Sequence, residues 1–258
     1  MKSSSRGEAA FKSWEISYLK PMLGRMGGWD GPSEDPLVVQ NRVAVLQMLA
    51  EAGDNDTITE ARSRFTIFLK NHDAYSPAMK NAVLGIAGRN ADEATYAALI
   101  KLGTSTTNPV EMQTYFTSAF SAKNPALAQK SLQNALSLPP QFAAFAPGIV
   151  AGVGQDNPRL AWDFFKANKT KLLSSLSTFE QTNAVTQIAQ AFWNGVPESE
   201  LESYVRASVP AEGAQLIAKS TESIKLSYQN RARMLPEIDA YLGAQRSALK
   251  GTEGSSQR

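Results

Sequence analysis

Residues 157–173 read N-P-R-L-A-W-D-F-F-K-A-N-K-T-K-L-L, and this stretch decides the fold class. Asn157 suits the N-cap of a helix, and Pro158 suits its first turn, where a missing N–H costs no hydrogen bond. The apolar side chains that follow recur at helical spacing on one face, while lysines occupy the other. That apolar face is formed by Leu160, Phe164 and Leu172, widened by Ala161, Trp162 and Phe165. The stretch predicts an amphipathic helix with one buried side.

The same helical period continues along nearly the whole chain. The predicted helices cover residues 6–27, 36–52, 56–71, 77–89, 91–103, 109–122, 125–137, 140–153, 158–175, 178–193, 197–207 and 211–248. No segment alternates apolar and polar residues as a half-buried strand does, and the short connections favour antiparallel neighbours. We therefore predict an all-α protein, an α-solenoid of degenerate HEAT- or armadillo-like helix pairs.

The predicted domains are an N-terminal helical lead-in over 1–27, kinked at Pro21, a solenoid domain over 28–248 and a disordered polar tail over 249–258. Five helix starts are marked by a capping residue followed by proline. These pairs are Asp35-Pro36, Ser76-Pro77, Asn108-Pro109, Asn124-Pro125 and Asn157-Pro158. Two further spacings predict capping boxes, Asn90 with Glu93 and Asn108 with Glu111.

Composition argues against several classes of function. Lys and Arg number 26 against 24 Asp and Glu, a balance that does not favour nucleic acid or an anionic membrane as a partner. The absence of cysteine excludes disulfides and thiolate metal sites and is compatible with either the cytoplasm or the periplasm. No apolar signal segment is visible near the N-terminus, and the longest apolar run, 142–153, is too short to span a bilayer. We interpret that run as a buried core helix.

The sequence contains no complete motif for a metal site, a catalytic triad or a dinucleotide-binding loop. His72 is the single histidine, so neither a His-Glu-x-x-His metal site nor a catalytic triad with a G-x-S-x-G elbow is encoded. Gly152 and Gly154 are interpreted as part of a helix terminus, not of a dinucleotide loop. The carboxylates at helix starts are interpreted as capping groups, not as general acids and bases; they are Asp54, Asp56, Glu198 and Glu200. We expect no catalytic residue, metal ligand or cofactor in this chain.

Arg159 stands apart because a cation in the first turn of a helix opposes the helix dipole. It has either a specific partner or contact with water. The remaining aromatic side chains in this part of the chain are predicted to be core. They are Trp162, Phe164, Phe165, Phe192 and Trp193.

The residue identities in several segments are more specific than their hydrophobic periodicity. Residues 157–173 resemble the signature N-P-x-G-R-x-L-A-W-x-F-x-x-x-N-W-x-x-L of the large zinc aminopeptidases, a family that includes aminopeptidase N and the puromycin-sensitive enzyme. Other segments resemble that family in the same order: Gly28-Trp29 with Glu34 and Arg42, then residues 89–99, 124–136 and 222–242. The resemblance covers roughly residues 10–243 and concerns the C-terminal helical domain alone. Its structural signature residues here are Trp29, Arg89, Tyr96, Trp162 and Phe164.

The resemblance implies a curved helical bowl that closes over a catalytic domain holding zinc and encloses the peptide substrate. Its implied partners are that catalytic domain and the peptide, and this chain alone should be inactive. Arg159 and Gln190 are the residues it implies to face the substrate. The chain departs from the family in three places: the glycine before Arg159 is missing, Gln190 stands where some members have arginine, and Ser227 and Tyr228 stand where the family often has asparagine and tryptophan-linked packing. The alternatives are a free-standing HEAT-like scaffold for protein partners and, more distantly, an independent hydrolase.

Overall fold

The computed structural model describes residues 5–32, 35–138, 140–210 and 213–255, and no strand occurs among them. Their secondary structure is almost entirely helical, which confirms the predicted all-α class. The helices are α1 (Ser5–Arg25), α2 (Pro36–Ala52), α3 (Asn55–Lys70), α4 (Pro77–Arg89), α5 (Glu93–Ser105), α6 (Pro109–Phe120), α7 (Pro125–Ala135), α8 (Ala146–Gly154), α9 (Pro158–Leu173), α10 (Thr178–Ala191), α11 (Glu198–Ser208) and α12 (Ala214–Ser255).

Most predicted helices differ from the observed ones at one or both ends, and two of these differences have identifiable reasons. Residues 140–153 form a 3₁₀ turn, Pro140–Phe145, followed by the separate helix α8. Pro147 lies in the first turn of α8, where it needs no N–H, whereas inside one continuous helix it would remove a hydrogen bond. α1 ends at Arg25, before the predicted residue 27, because Gly27 and Gly28 turn the chain with positive φ angles of 81° and 66°.

The end of the chain continues the last helix further than predicted. α12 extends to Ser255, whereas the sequence predicted a helix to 248. Residues 256–258 of the predicted tail lie outside the described residues, as does Glu34 of the family-like segment. The domain divisions at 27/28 and 248/249 stay predictions.

Three of the predicted N-cap residues are confirmed by side-chain hydrogen bonds. Asp35, Asn108 and Asn124 each accept from a backbone N–H in the first turn of α2, α6 and α7, respectively. Asn157 was predicted to cap α9 and does not: its Nδ2 donates to the carbonyl of Lys123 at 3.2 Å. Here a contact to another turn replaces the local cap.

Both predicted capping boxes are wrong. α5 is capped by Asp92, while the Asn90 amide donates back to Ile86. The Glu111 carboxylate accepts from the Thr106 hydroxyl instead of the Asn108 backbone. A complete capping box does occur at the start of α10, where Ser177 and Glu180 bind each other's backbone N–H.

The chain divides into two compact units. The first comprises the described residues of Met1–Val83 and Gln229–Arg258. In it, α1 packs on α2 through a core of Leu19, Val45 and Leu49. The buried Arg42 donates from Nε and Nη2 to the Met26 carbonyl at 3.1 and 2.8 Å, so the arginine of the family-like segment holds the turn after α1.

The second unit, Leu84–Tyr228, is an array of helix pairs. α8 contacts α6 and α10 as well as its chain neighbours, and α7 contacts α9, so helices two apart in the chain lie side by side. The turns that close successive pairs are also tied together: the Lys123 N–H donates to the Arg89 carbonyl, and the Lys123 carbonyl accepts from Asn157. These residues are spaced by 34, a structural repeat that the sequence does not display as a clean period.

Candidate functional site

A cluster of five polar and charged groups joins α9 to α11. Four belong to α9 and one, Glu200, belongs to α11. We call them the Glu200 cluster: Arg159, Trp162, Asp163, Lys166 and Glu200. Glu200 Oε1 accepts from the Trp162 indole Nε1 at 2.8 Å and from Lys166 Nζ at 2.6 Å, and its Oε2 accepts from Arg159 Nη1 at 2.7 Å. One carboxylate thus binds three side chains on successive turns of the neighbouring helix.

Local helix geometry places the four α9 groups together. Arg159 and Asp163 are one turn apart and form a bidentate pair with N–O distances of 2.9 and 2.8 Å. Lys166 follows three residues later and lies 3.3 Å from the same carboxylate. Two cations and two anions therefore balance one another within the cluster.

The electrostatics follow from these contacts. The Lys166 ammonium, together with Arg159 and the Trp162 N–H, lowers the pKa of Glu200 from 4.5 to about 2 against the opposing effect of desolvation. The Arg159 guanidinium lowers the pKa of Asp163. Both carboxylates are consequently ionised and paired at neutral pH, so neither is suited to general acid catalysis there.

The cluster rests on an aromatic core. Trp162 and Phe165 are fully buried, and the Trp162 ring meets those of Phe192 and Tyr204 edge-on at 5.9 and 4.8 Å. The predicted apolar face of α9 is shifted by this packing: Leu160 and Phe164 are only half-buried, while Trp162 and Phe165 lie at its centre. The rotation is decided by Phe192, directly after α10, and Tyr204 of α11, which a single-helix pattern does not contain.

The two residues expected to face substrate do not form one site. The Arg159 side chain is about half exposed, at 52 %, and is held by the Glu200 cluster. Gln190, on α10, is half-buried and donates from Nε2 to the Ser220 hydroxyl of α12 at 3.1 Å. Arg159 therefore has the specific partners that its position in the first turn suggested, and Gln190 belongs to a different set of contacts.

Glu200 was missed as a central residue by sequence reasoning, which treated it as a helix-start carboxylate. The available signal is its spacing: Glu200 follows Lys166 by 34 residues, the interval that also separates the tied turns of this unit. The interval of 34 residues indicates a contact between Lys166 and Glu200 only when the stacking of the helix pairs is already known.

The other signature residues have structural contacts. In the second unit, the Arg89 side chain reaches Asp156 at 3.1 Å, and the Tyr96 hydroxyl lies 3.1 Å from both Ser131 Oγ and Asn134 Nδ2. Burial raises the pKa of Tyr96, so this phenol stays protonated. In the first unit, the Arg64 guanidinium lies 5.0 Å from the centre of the Trp29 ring.

Two grooves open between helices of the second unit. The larger, of about 790 Å³, lies between α5 and α7 and is flanked by Lys101 and by the ion pair of Lys130 with Glu93 at 2.5 Å. The smaller, of about 540 Å³, lies between α7 and α9 and is lined in part by Pro158 and Arg159. Arg159 thus borders a groove on one side and binds Asp163 and Glu200 on the other.

The described residues contain no group of three His, Cys, Asp or Glu side chains that could hold a metal ion. His72 lies exposed in the first unit and stacks on Phe68, with ring centres 4.9 Å apart. A zinc site of the kind used by aminopeptidases therefore does not fit the residues that the structure describes. Among these residues there is also no helix long and apolar enough to cross a membrane.

Comparison with known proteins identifies the family. A family model described as the ERAP1-like C-terminal domain matches residues 1–226. The chain belongs to the ERAP1-like C-terminal domain family. This membership confirms the resemblance of residues 157–173 and the related segments to zinc aminopeptidases.

A curated relative places this ERAP1-like domain in a larger context. The chain is 24 % identical over 233 residues to Aminopeptidase M1-A of Oryza sativa subsp. japonica. The match covers 87 % of this chain but 26 % of the rice protein, so the chain spans about a quarter of that relative's length.

Proposed function

We propose that this ERAP1-like domain is the non-catalytic C-terminal part of a zinc aminopeptidase that removes N-terminal residues from peptides. The family match carries the proposal, because it names the domain by its C-terminal position and extends over most of the chain. In this proposal, zinc and the chemistry belong to another domain of the parent enzyme.

Within that enzyme, we propose that the domain encloses the substrate chamber and contributes to substrate selection. Arg159 is the residue best placed for such a role. Its guanidinium is half exposed beside a groove, while Asp163 and Glu200 fix its orientation through three hydrogen bonds. A pre-oriented guanidinium binds a polar group at a smaller entropy cost than a mobile one does.

The first test concerns the genetic context. An in-frame segment upstream that encodes His-Glu-x-x-His, followed by a glutamate, supports the aminopeptidase proposal. A start codon at Met1 with no such segment upstream favours the free-standing scaffold instead.

A direct activity assay is a further test of the proposal. The purified 258-residue chain should not hydrolyse aminoacyl chromogenic substrates, with or without added zinc.

The second test concerns Arg159 in the complete enzyme. Arg159→Ala should raise KM for long peptides more than for a single aminoacyl amide, because only the longer substrate extends away from the catalytic centre. Arg206→Ala is the matched control, since Arg206 is exposed on α11 and belongs to neither groove. Equal effects of Arg159→Ala on both substrates would remove Arg159 from the substrate-facing surface.

A further inference from the structure

The turn between α10 and α11 contains the one Asn-Gly pair of the sequence, Asn194-Gly195. Both residues are exposed, whereas Phe192 before them and Val196 after them are buried. The N–H groups of Gly195 and Val196 donate to the Phe192 carbonyl at 3.1 and 3.2 Å. The pair therefore lies at the tip of a turn that is fixed at both ends and open to water between them.

This pair has a specific chemical reactivity. The side-chain amide of an asparagine can be attacked by the backbone nitrogen of the following residue, which closes a five-membered ring. The attack is easiest before glycine, because glycine has no Cβ to crowd the approach. At Asn194 the hydrogen bond from Gly195 to Phe192 must open first. This requirement slows the reaction relative to an unfolded chain but does not block it.

The other asparagines are less suited to this reaction. Asn108, Asn124 and Asn157 precede proline, whose nitrogen carries no proton and cannot become the nucleophile. Asn71 is exposed, but its Oδ1 accepts from the Asp73 N–H at 3.1 Å, and the residue that follows it is a histidine. Most of the remaining asparagines lie within helices, where the next N–H belongs to the backbone ladder; they are Asn41, Asn81, Asn134, Asn168, Asn183 and Asn230.

Asp30-Gly31 offers a comparison, because an aspartate before glycine can close the same ring. Arg64 binds the two carboxylate oxygens of Asp30 at 2.8 and 2.5 Å, and these hydrogen bonds lower the pKa of Asp30. An ionised carboxylate resists attack by a nucleophile, since it lacks a good leaving group. Asp30 is therefore an internal reference that should not react.

We propose that Asn194 is a site of spontaneous deamidation, and that its isoaspartate product loosens the attachment of α11 to α9. The Gly195 nitrogen bonds to Asn194 Cγ while the bond from Cγ to Nδ2 breaks, and the Gly195 amide proton leaves with the side-chain nitrogen as ammonia. Water then opens the resulting succinimide. Opening at Cγ gives aspartate, whereas opening at the main-chain carbonyl gives isoaspartate, in which the main chain passes through Cβ and Cγ. Water is the one co-reactant of the sequence.

The surroundings of the turn explain why a longer main chain matters. Gly195 lies against the start of α9, since a Cβ on it would be 2.2 Å from Pro158 Cγ. Val196 is buried, and its carbonyl accepts from the Tyr228 hydroxyl. Glu200 follows in the first turn of α11. An additional main-chain atom at residue 194 displaces at least one of these contacts, so the isoaspartate form should weaken the Glu200 cluster.

Ageing of the purified 258-residue chain tests the reaction. The protein is incubated at mildly alkaline pH in water enriched in the heavy oxygen isotope, digested in ordinary water and mapped by mass spectrometry with fragmentation that distinguishes isoaspartate from aspartate. We expect loss of ammonia and uptake of heavy oxygen at Asn194, more slowly than in a urea-unfolded sample, and no uptake at Asp30. If the unfolded chain reacts at Asn194 but the folded chain does not, or reacts first at Asn71 or Asp30, the proposal is overturned.

Asn194→Gln is the matched control, because its longer side chain must close a less favourable six-membered ring. This variant should keep its mass at residue 194 and its melting temperature throughout the incubation. Loss of ammonia from it at the same rate as from the wild type would assign the reaction to another residue and overturn the proposal.

The structural effect is measured on separated products. The isoaspartate fraction, isolated by ion exchange, should melt below fresh protein. Asn194→Asp carries the same new charge on an unchanged main chain and should lose less stability. An isoaspartate fraction that melts together with Asn194→Asp would show that the longer main chain is accommodated, and the proposed loosening of α11 would fail. These tests need no upstream segment, so their outcome is independent of the proposed function.

Discussion

Glu200 of α11 accepts the indole N–H of Trp162 of α9 at 2.8 Å, so the one polar atom of a fully buried ring is satisfied by an ionised carboxylate. The same oxygen binds Lys166, and the second oxygen binds Arg159. The contact couples the aromatic core of the second unit to its charged surface. A change at either residue should therefore affect both packing and electrostatics.

Trp162→Ala should reduce the free energy of unfolding by about 3–5 kcal/mol, because it opens a cavity among packed rings. Trp162→Phe should cost less, since it keeps most of the ring contacts and loses only the N–H to Glu200. Chemical denaturation of both variants measures this order. A denaturation midpoint unchanged in Trp162→Ala would show that the ring is not buried in solution.

Glu200→Gln should destabilise the chain by about 1 kcal/mol, because it removes the charge of the ion pairs with Lys166 and Arg159 but keeps an acceptor for the indole. The loss should shrink at high salt, as expected for partly exposed ion pairs. A double-mutant cycle with Lys166→Met isolates the coupling. Strictly additive effects of the two changes would contradict the Glu200–Lys166 contact.

The stability conferred by Glu200 should depend on pH. Because its pKa is lowered from 4.5 in the unfolded reference to about 2 in the folded chain, the contribution is complete above about pH 5 and is lost as the pH falls toward 2. The difference in unfolding free energy between wild type and Glu200→Gln should therefore narrow between pH 5 and pH 3. A difference that stays constant over this range would argue against a lowered pKa.

Gly154 and Gly152, both in α8, offer a matched pair of substitutions. A Cβ at Gly154 would lie 1.8 Å from the Phe192 ring, whereas a Cβ at Gly152 meets nothing within 4 Å. Gly154→Ala should cost about 1–3 kcal/mol through overpacking, and Gly152→Ala should be neutral or stabilise by up to about 1 kcal/mol through helix propensity. Thermal unfolding distinguishes them, and a stabilising Gly154→Ala would show that the Phe192 ring can move aside.

Several elements were predictable because their causes are local. Helical periodicity and proline at first turns fix α2, α4, α6, α7 and α9 at their observed starts. The interpretation of Gly152 and Gly154 as a helix end, not a dinucleotide loop, agrees with the course of α8. The family resemblance was also recognisable from the residue motifs of these helices, because the same packing requires similar residues at the same spacing.

Other features were not predictable because they depend on residues far apart in sequence. Asn157 has the local signature of a cap, yet its amide is drawn to the Lys123 carbonyl in the neighbouring turn. Glu200 has the signature of a helix-start carboxylate, yet it binds three side chains of α9. In both cases a hydrogen bond within the same helix start competes with one to a distant residue, and the sequence pattern predicts only the first.

The sequence by itself determined that this chain is helical, where most helices begin and which family it belongs to, because backbone hydrogen bonds, proline geometry and apolar spacing act within a few residues. Only the tertiary structure decided how α9 is rotated, which places Trp162 and Phe165 at the core and leaves Phe164 at its edge. It also decided that Arg159 is anchored by Glu200, since these two residues are 41 positions apart in sequence and are brought together by the burial of the Trp162 and Tyr204 rings between α9 and α11.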